Sequence, residues 1–254
     1  MKKLVLVLSV CLLSLASQAR DFKIVSQEFM PIAGTGPDGK MAGVQYEIAK
    51  EMCEKLKFNC LFELTPLSRG LEMIKTGEAQ MMLALAKIPE RESTANFPGM
   101  VTQVGYTFFV KKGQASKFTK LEDFKGKSVA ATTASATYKS LVEQNKKIGD
   151  LIKIVDEATS ETPLRKLSGD RYPADSAAYG PRAVGLYQAK KESLNVEPVA
   201  FDAFLQSHSM PVSKVGVTSE ELEKIRKAIH EVMKTEKIKK LVTENGLLVH
   251  PEQK

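Results

Sequence analysis

Two successive series of short strands and helices run along this chain, and their alternation limits the possible folds more than any other feature. In the first series, residues 81–86 form a continuous apolar run, which is typical of a strand covered on both faces in a sheet flanked by helices. The alternation restarts after Gly113, with strands predicted at residues 128–131, 153–155 and 174–178. Each series is too short for one large sheet, so the sequence predicts two α/β lobes.

The helices between these strands show apolar periodicity. Val44, Ile48 and Met52 recur at helical spacing, so one face of this segment is predicted to pack inward. Near the end of the chain, Thr218 and Glu221 form a capping box before another amphipathic helix. The chain has 254 residues, which is enough for two small lobes, each with its own core.

The N-terminus has the features of a secretory signal peptide. Lys2 and Lys3 precede an apolar run over residues 4–15, and roughly a dozen apolar residues are too few to cross the ~30 Å hydrocarbon core of a bilayer. Small residues place the expected cleavage after Ala19, which predicts a secreted, periplasmic protein. An uncleaved anchor and a lipoprotein processed at Cys11 are the alternatives.

The charged residues and histidines argue against nucleic acid and metal as partners. The formal net charge is +7, but the tightest basic group, at residues 234–240, is interspersed with glutamates as on a solvated helix face. The sequence has no basic stripe interleaved with aromatic residues. The three histidines, His208, His230 and His250, are not at the spacing of metal ligands. We therefore expect no nucleic acid, no metal and no cofactor.

Two cysteines, Cys53 and Cys60, follow the predicted signal peptide. Cys53 falls late in a predicted helix and Cys60 opens the next predicted strand, so a tight turn at Phe58 and Asn59 brings the two side chains together. The periplasm permits disulfides, and we expect a bond between them. Two reduced, buried cysteines are the alternative.

Several segments follow one another at regular spacings. They are PDGKMAGVQYEIAKEM ending at Met52, the cysteine pair, GLEMIKTGEAQ ending at Gln80, PER ending at Arg91 with Phe97 six residues on, and LEDFKGKSVA ending at Ala130. Together they resemble the family 3 periplasmic solute-binding proteins, the receptors of polar amino acid ABC transporters. The resemblance runs from about Phe22 to Leu247.

The resemblance implies the type II periplasmic binding fold, in which two α/β lobes are joined by a two-strand hinge. It implies that, after the signal peptide predicted at 1–19, lobe one comprises 20–110 plus 207–254 and lobe two comprises 111–206. The expected hinge strands are residues 107–111 and 209–213. Ligand would bind between the lobes and hold them closed.

Arg91 matches the arginine with which the family grips a ligand carboxylate, a role suited to the planar guanidinium. A surface arginine paired with Glu90 or Glu92 is the alternative. Ser135 lies where the family has a threonine at a helix N-terminus, a position that favours anions. Ordinary N-capping explains Ser135 equally well.

Phe29 occupies the position of an aromatic ring that covers the ligand in family members, although it could also be a core residue. Arg69 begins the second predicted helix near the expected cleft and resembles a residue in a branch of the family, although a solvated helix start explains it equally well.

The sequence also departs from the family pattern. Ala84 and Ala86 stand where hydroxyl-bearing residues are expected, and Tyr179 lies near the position of the aspartate that pairs with a ligand ammonium. Ala86 and Tyr179 are therefore expected at the ligand site, and recognition of an α-ammonium is in doubt. Asp175 matches the structural aspartate at the start of the same strand. Glu47, at the start of the first helix, could replace the missing aspartate if it reaches the cleft, and Asp175 is the other acidic candidate.

The expected function is capture of a small polar, carboxylate-bearing ligand, an amino acid or a relative of one, by a monomeric protein. The expected partner is the membrane permease of an ABC transporter, or alternatively a membrane histidine kinase. A dehydratase-like enzyme on the same fold is the other alternative; its candidate acids and bases are Glu47, Lys87 and Tyr179, without paired carboxylates or a Ser/His/Asp arrangement. We expect no catalytic residues.

Overall fold

The computed structural model describes residues 21–253, and the predicted signal peptide lies outside the described residues. The chain is an α/β protein with two lobes. The first lobe begins with β1 (Asp21–Ser26), β2 (Gly34–Thr35), β3 (Met41–Ala42), α1 (Val44–Leu56), β4 (Asn59–Leu64), α2 (Leu67–Thr76), β5 (Met81–Met82), β6 (Leu85–Ala86), α3 (Pro89–Glu92) and β7 (Ala95–Asn96). The long strand β8 (Met100–Lys111) leads into the second lobe.

The second lobe contains β9 (Ser128–Thr132), α4 (Ala136–Lys147), β10 (Lys153–Glu157), α5 (Thr162–Ser168), β11 (Ala177–Pro181), α6 (Arg182–Lys191) and β12 (Val196–Pro198). The chain then returns through β13 (Phe204–Ser209), β14 (Val212–Ser213), α7 (Ser219–Met233), α8 (Glu236–Glu244) and β15 (Leu248–Val249). None of the helices within residues 21–253 is long and apolar enough to cross a membrane.

The sheet of the first lobe has the strand order β4-β1-β5-β14-β7, with β1 parallel to both β4 and β5. Helix α1 packs against α7 and α8, and its inward face carries the predicted periodic residues Val44, Ile48 and Met52, all buried. The predicted capping box at Thr218 and Glu221 is confirmed at the start of α7.

The second sheet has the order β10-β9-β11-β8-β13-β6. Strands β9, β10 and β11 run parallel, and β8 runs antiparallel to β11. Helices α4, α5 and α6 pack on this sheet. The core of this lobe includes stacked rings of Phe108 and Phe124, whose centroids are 3.9 Å apart, and of Phe118 and Phe124 at 4.7 Å.

Strands β8 and β13 connect the two lobes. They pair antiparallel from Tyr106 opposite Phe204 to Met100 opposite Ser209. The pairing therefore involves the N-terminal half of β8, whereas residues 107–111, expected as a hinge strand, pair with β11 and β12 inside the second sheet. A bulge between His208 and Ser209 shifts the register of β13 against β8 just before their pairing ends.

The predicted continuous strand at residues 81–86 is wrong. Ala84 has a left-handed backbone with φ of 56°, and its N–H donates to Oε1 of Gln45 at 2.7 Å. The run is consequently divided into β5, which pairs with β1 in the first sheet, and β6, which pairs with β13 in the second. The apolar run crosses from one sheet to the other at Ala84, which places Ala86 and Arg91 between the lobes.

The predicted disulfide between Cys53 and Cys60 is confirmed. Cys53 lies in the last turns of α1, and the helix ends at Lys57, whose backbone is left-handed. This turn brings Cys60, at the start of β4, back beside the helix, so that the two Cα atoms are 6.2 Å apart. The bond ties the first helix to the edge strand of the first sheet.

Candidate functional site

A cleft of about 760 Å³ lies between the lobes. Carboxyl ends of parallel strands meet at one edge of a sheet, which is where ligands bind in open α/β sheets. Both sheets present such an edge to the cleft: its walls include the segments after β1 and β4 from the first lobe, and after β9, β10 and β11 from the second.

Arg91 lies on the short helix α3, directly after the crossing strand β6, and lines the cleft. Only 7% of the residue is exposed, and its Nη1 donates to the carbonyl of Ala86 at 2.9 Å. Burial lowers the pKa of the guanidinium, but an arginine remains charged at neutral pH. The structure therefore places a fixed positive charge at the inner end of the cleft.

The acidic neighbours of Arg91 in sequence pair with other residues. Glu90 pairs with Lys139 on α4 of the opposite lobe, which lowers the pKa of the Glu90 carboxyl. Glu92 pairs with Lys87 at 3.1 Å. Within residues 21–253, Arg91 forms no ion pair with a carboxylate inside 4 Å, so the alternative of a surface ion pair does not describe this arginine.

Ala86, His208 and Phe29 form a connected group next to Arg91. Ala86 is buried and lies opposite His208 in the β6–β13 pair, and the ring of Phe29 lies 6.0 Å from the ring of His208. All three line the cleft, Phe29 with a partly exposed side chain. The predicted residues Phe29, Ala86 and Arg91 are thus brought together at one end of the cleft.

His208 was not expected at the ligand site, because the sequence analysis considered it only as a metal ligand and rejected that role on spacing. It is 2% exposed, and its Nδ1 has no hydrogen-bond partner in the described part of the chain. Burial and the nearby charge of Arg91 lower the pKa of His208 to about 3, although a hydrogen bond with the backbone of Gln206 acts in the opposite direction. The imidazole is therefore neutral at physiological pH. A histidine inside a strand carries no sequence signal for this placement.

Ser135 lines the cleft as the N-cap of α4. Its hydroxyl accepts from the N–H of Tyr138 at 3.1 Å and donates to the carbonyl of Thr132 at 2.6 Å, so the N-capping role is present. The N–H groups of Ala136 and Thr137 begin the helix and, as at every helix N-terminus, have no helical acceptor. Both residues also line the cleft, which makes this end of α4 favourable for an anion.

Tyr179 lies in the wall of the cleft on β11, and its hydroxyl is 3.0 Å from Oγ of Ser140. The ring of Tyr106 packs edge-on against it at 6.1 Å. Burial raises the pKa of both hydroxyl groups above their ordinary range. Both tyrosines are therefore uncharged at neutral pH and do not replace the aspartate expected near Tyr179.

The remaining charged candidates lie away from the cleft. Arg69 pairs with Glu78 at 2.5 Å and does not line it. Glu47 lines a separate depression between α1 and α7, and Asp175 pairs with Lys127 at 3.1 Å. The sequence positions of these residues do not determine which side of a lobe their side chains face.

The cleft wall as described contains two acidic residues, Glu28 and Glu161. Glu28 is exposed and accepts hydrogen bonds from the N–H and hydroxyl of Thr35. Glu161 is half-buried just before α5. The arrangement combines the buried cation of Arg91, the N-terminus of α4 and neutral tyrosine and histidine side chains, which suits the binding of an anionic small molecule. In residues 21–253, no cluster of three or more potential metal ligands is present.

Comparisons with known proteins agree with this description. Residues 24–246 match the model of the bacterial extracellular solute-binding proteins, family 3. The probable amino-acid-binding protein YxeM of Bacillus subtilis (strain 168) is 26% identical over 205 residues, which cover 80% of this chain and 75% of YxeM.

Two solved structures share the fold. The probable amino-acid ABC transporter extracellular-binding protein ytmK of Bacillus subtilis superposes with a TM-score of 0.78 and 18% identity, covering 89% of this chain and 97% of ytmK. A histidine kinase sensor domain with similarity to periplasmic binding proteins has a TM-score of 0.77 and 20% identity, covering 92% of this chain and 100% of that domain. At these identities the likeness establishes the two-lobed fold.

Proposed function

Because the chain belongs to family 3 of the bacterial extracellular solute-binding proteins, we propose that it captures a small carboxylate-bearing ligand, an amino acid or a relative of one, between its lobes. Lobe one comprises residues 20–110 and 207–254, and lobe two residues 111–206. The mature protein starts after Ala19, is periplasmic and monomeric, and delivers its ligand to the permease of an ABC transporter.

The observation that carries this proposal is the buried guanidinium of Arg91. One of its N–H groups is used by the Ala86 carbonyl at 2.9 Å, and its remaining donors suit the two oxygens of a carboxylate. A buried cation without an anionic partner is costly. A ligand carboxylate would supply that partner, with the N-terminus of α4 on the opposite lobe contributing further N–H donors.

Closure of the two lobes is how a bound ligand would be signalled to a membrane partner. A ligand that contacts both lobes binds the closed form more tightly than the open form, and so shifts the equilibrium towards closure. The ion pair between Glu90 of the first lobe and Lys139 of the second lobe also favours the closed form. A permease would recognise the closed form; a membrane histidine kinase could recognise the same form, and a neighbouring gene for a permease or for a kinase would separate the two partners.

A thermal-shift screen of the purified mature protein tests the proposal. The panel contains monocarboxylates, dicarboxylates, amino acids, small peptides and polyamines. A ligand at 100 times its dissociation constant stabilises by about 2.7 kcal/mol, which corresponds to roughly 5 to 10 °C for a chain of this size. We expect shifts with carboxylates and none with polyamines. Shifts with polyamines alone would contradict the proposal, and turnover of a stabilising compound would identify an enzyme instead.

A further inference from the structure

Away from Arg91, the cleft presents apolar side chains from both lobes. Leu64 ends β4, and Leu67 and Leu71 lie four residues apart on one face of α2. The opposite wall contributes apolar residues of the second lobe. The apolar cleft wall consists of Leu64, Leu67, Leu71, Phe109, Leu164 and Val184.

The three leucines of the first lobe are only partly buried, although Leu67 and Leu71 pack against a buried core cluster. Their outer surfaces face the cleft, where water or a ligand must cover them. Covering apolar surface with an apolar group is favourable in proportion to the area removed from water. The cleft of about 760 Å³ lies in the upper part of the ~300–1,000 Å³ range of small-molecule sites, so it has room for a body larger than a short polar acid.

The groups around Arg91 offer no negative charge to a ligand. His208 is neutral, and burial keeps Tyr106 and Tyr179 uncharged by raising their pKa. The Glu90 carboxylate is paired with Lys139. The two acidic residues of the described cleft wall, Glu28 and Glu161, follow β1 and β10 and are not among these neighbours of Arg91. An ammonium enclosed beside Arg91 would lose its hydration next to a cation, without a carboxylate among these neighbours to compensate.

We propose that the ligand is a carboxylate with an apolar body and no ammonium group, its carboxylate on Arg91 and its body against the apolar cleft wall. This inference rests on the proposed function and narrows its ligand class. Two properties distinguish this site from one for a polar amino acid: no unpaired carboxylate lies among the described neighbours of Arg91, and the cleft has an apolar wall.

A homologous series of straight-chain carboxylates tests the apolar body. Calorimetry with acids from propionate to octanoate should show affinity rising about fourfold for each added methylene until the cleft is filled. An affinity that is independent of chain length would overturn the apolar body, yet it would leave carboxylate capture itself in place.

A matched pair tests the ammonium. 3-Phenylpropionate and phenylalanine share one skeleton and differ by the amino group. We expect phenylalanine to bind about a hundredfold more weakly or worse. Phenylalanine binding as tightly as 3-phenylpropionate would overturn this half of the inference, and failure of every carboxylate to bind would overturn the proposed function as well.

Substitutions in the apolar cleft wall test the proposal from the protein side. In L67Q, the gain in affinity for each added methylene should fall below twofold. L61Q is the matched control, because Leu61 is 50% exposed and outside the cleft, and it should retain the full increment. L71Q repeats the test on the next turn in case L67Q fails to fold. Full increments in both wall variants would refute the role of this wall.

Discussion

Replacement of Arg91 by methionine should abolish carboxylate binding. The guanidinium has five N–H donors, and the Ala86 carbonyl uses one of them, which leaves a pair for the two oxygens of a carboxylate. A hydrogen bond to a charged group contributes about 1.5–3 kcal/mol. Loss of two such bonds therefore weakens binding by about 3–6 kcal/mol, or about 10²- to 10⁴-fold in Kd.

The same substitution should change the stability of the unliganded protein very little. Folding places the Arg91 cation in a poorly solvated site, as its lowered pKa indicates, and no carboxylate within the described residues compensates for it at 4 Å or less. Methionine has a similar length and no charge, so it avoids this cost and loses one hydrogen bond to a carbonyl. Because these effects oppose each other, we expect the free energy of unfolding to change by no more than about 1 kcal/mol.

Calorimetry with the tightest carboxylate of the screen, together with urea unfolding without ligand, measures both quantities. R226M is the control, since Arg226 is 56% exposed on α7 and pairs with Glu223 on the same helix; it should change neither. Two results would refute the reasoning. One is R91M binding within fivefold of the original affinity, and the other is a loss of more than about 3 kcal/mol in unliganded R91M, which would make Arg91 a structural residue.

Three further predictions concern the covalent structure and the pH response. Replacing Cys53 and Cys60 by alanine should lower the free energy of unfolding by at most ~3 kcal/mol, given the short enclosed loop, and alkylation of the native oxidised protein should find no free thiol at either position. The intact mass of periplasmic protein should correspond to cleavage after Ala19, and a mass that retains the first 19 residues would contradict a cleaved signal peptide. Because the pKa of His208 is lowered to about 3 in the folded protein, its contribution to stability is present above pH ~6.5 and is lost as pH falls towards 3, at about 1.4 kcal/mol per pH unit. In H208Q, the free energy of unfolding measured with urea should therefore change less between pH 6.5 and 4.5 than in the original protein. H250Q is the control, and equal slopes in the two variants would contradict the expectation.

Local sequence signals predicted much of the architecture. The spacing of Val44, Ile48 and Met52 identified the buried face of α1, and Thr218 and Glu221 marked the start of α7, because helix periodicity and capping depend on residues a few positions apart. The turn between Cys53 and Cys60 is equally local. Such interactions are complete within one element or one turn, so they can be read before the chain is folded.

The break at Ala84 shows where local signals end. Six apolar residues in a row are compatible with one buried strand, but Gln45 on α1 binds the N–H of Ala84 and turns the chain from one sheet to the other. This contact joins residues 39 positions apart. Sequence periodicity contains no information about such a partner, although it determines where Ala86 and Arg91 lie.

Most, but not all, of the residues predicted at the candidate site line the cleft. The resemblance to a known family was enough to predict Phe29, Ala86, Arg91, Ser135 and Tyr179 as a group, and the structure places all five along the cleft, while their role in binding stays a prediction. Arg69 lies outside the cleft, although its helix contributes to the wall.

By itself, the sequence determined the two α/β lobes, the disulfide and the choice of Arg91 as the candidate carboxylate-binding residue. Each of these depends on residue types at short range or on a recurring order of segments. Only the tertiary structure decided that Glu47 and Asp175 face away from the cleft, that His208 and Tyr106 lie beside Arg91, and that leucines of α2 face the second lobe. The physical reason is that the charge and polarity of a cleft are set by side chains from distant segments, and the packing of two sheets determines which of them meet.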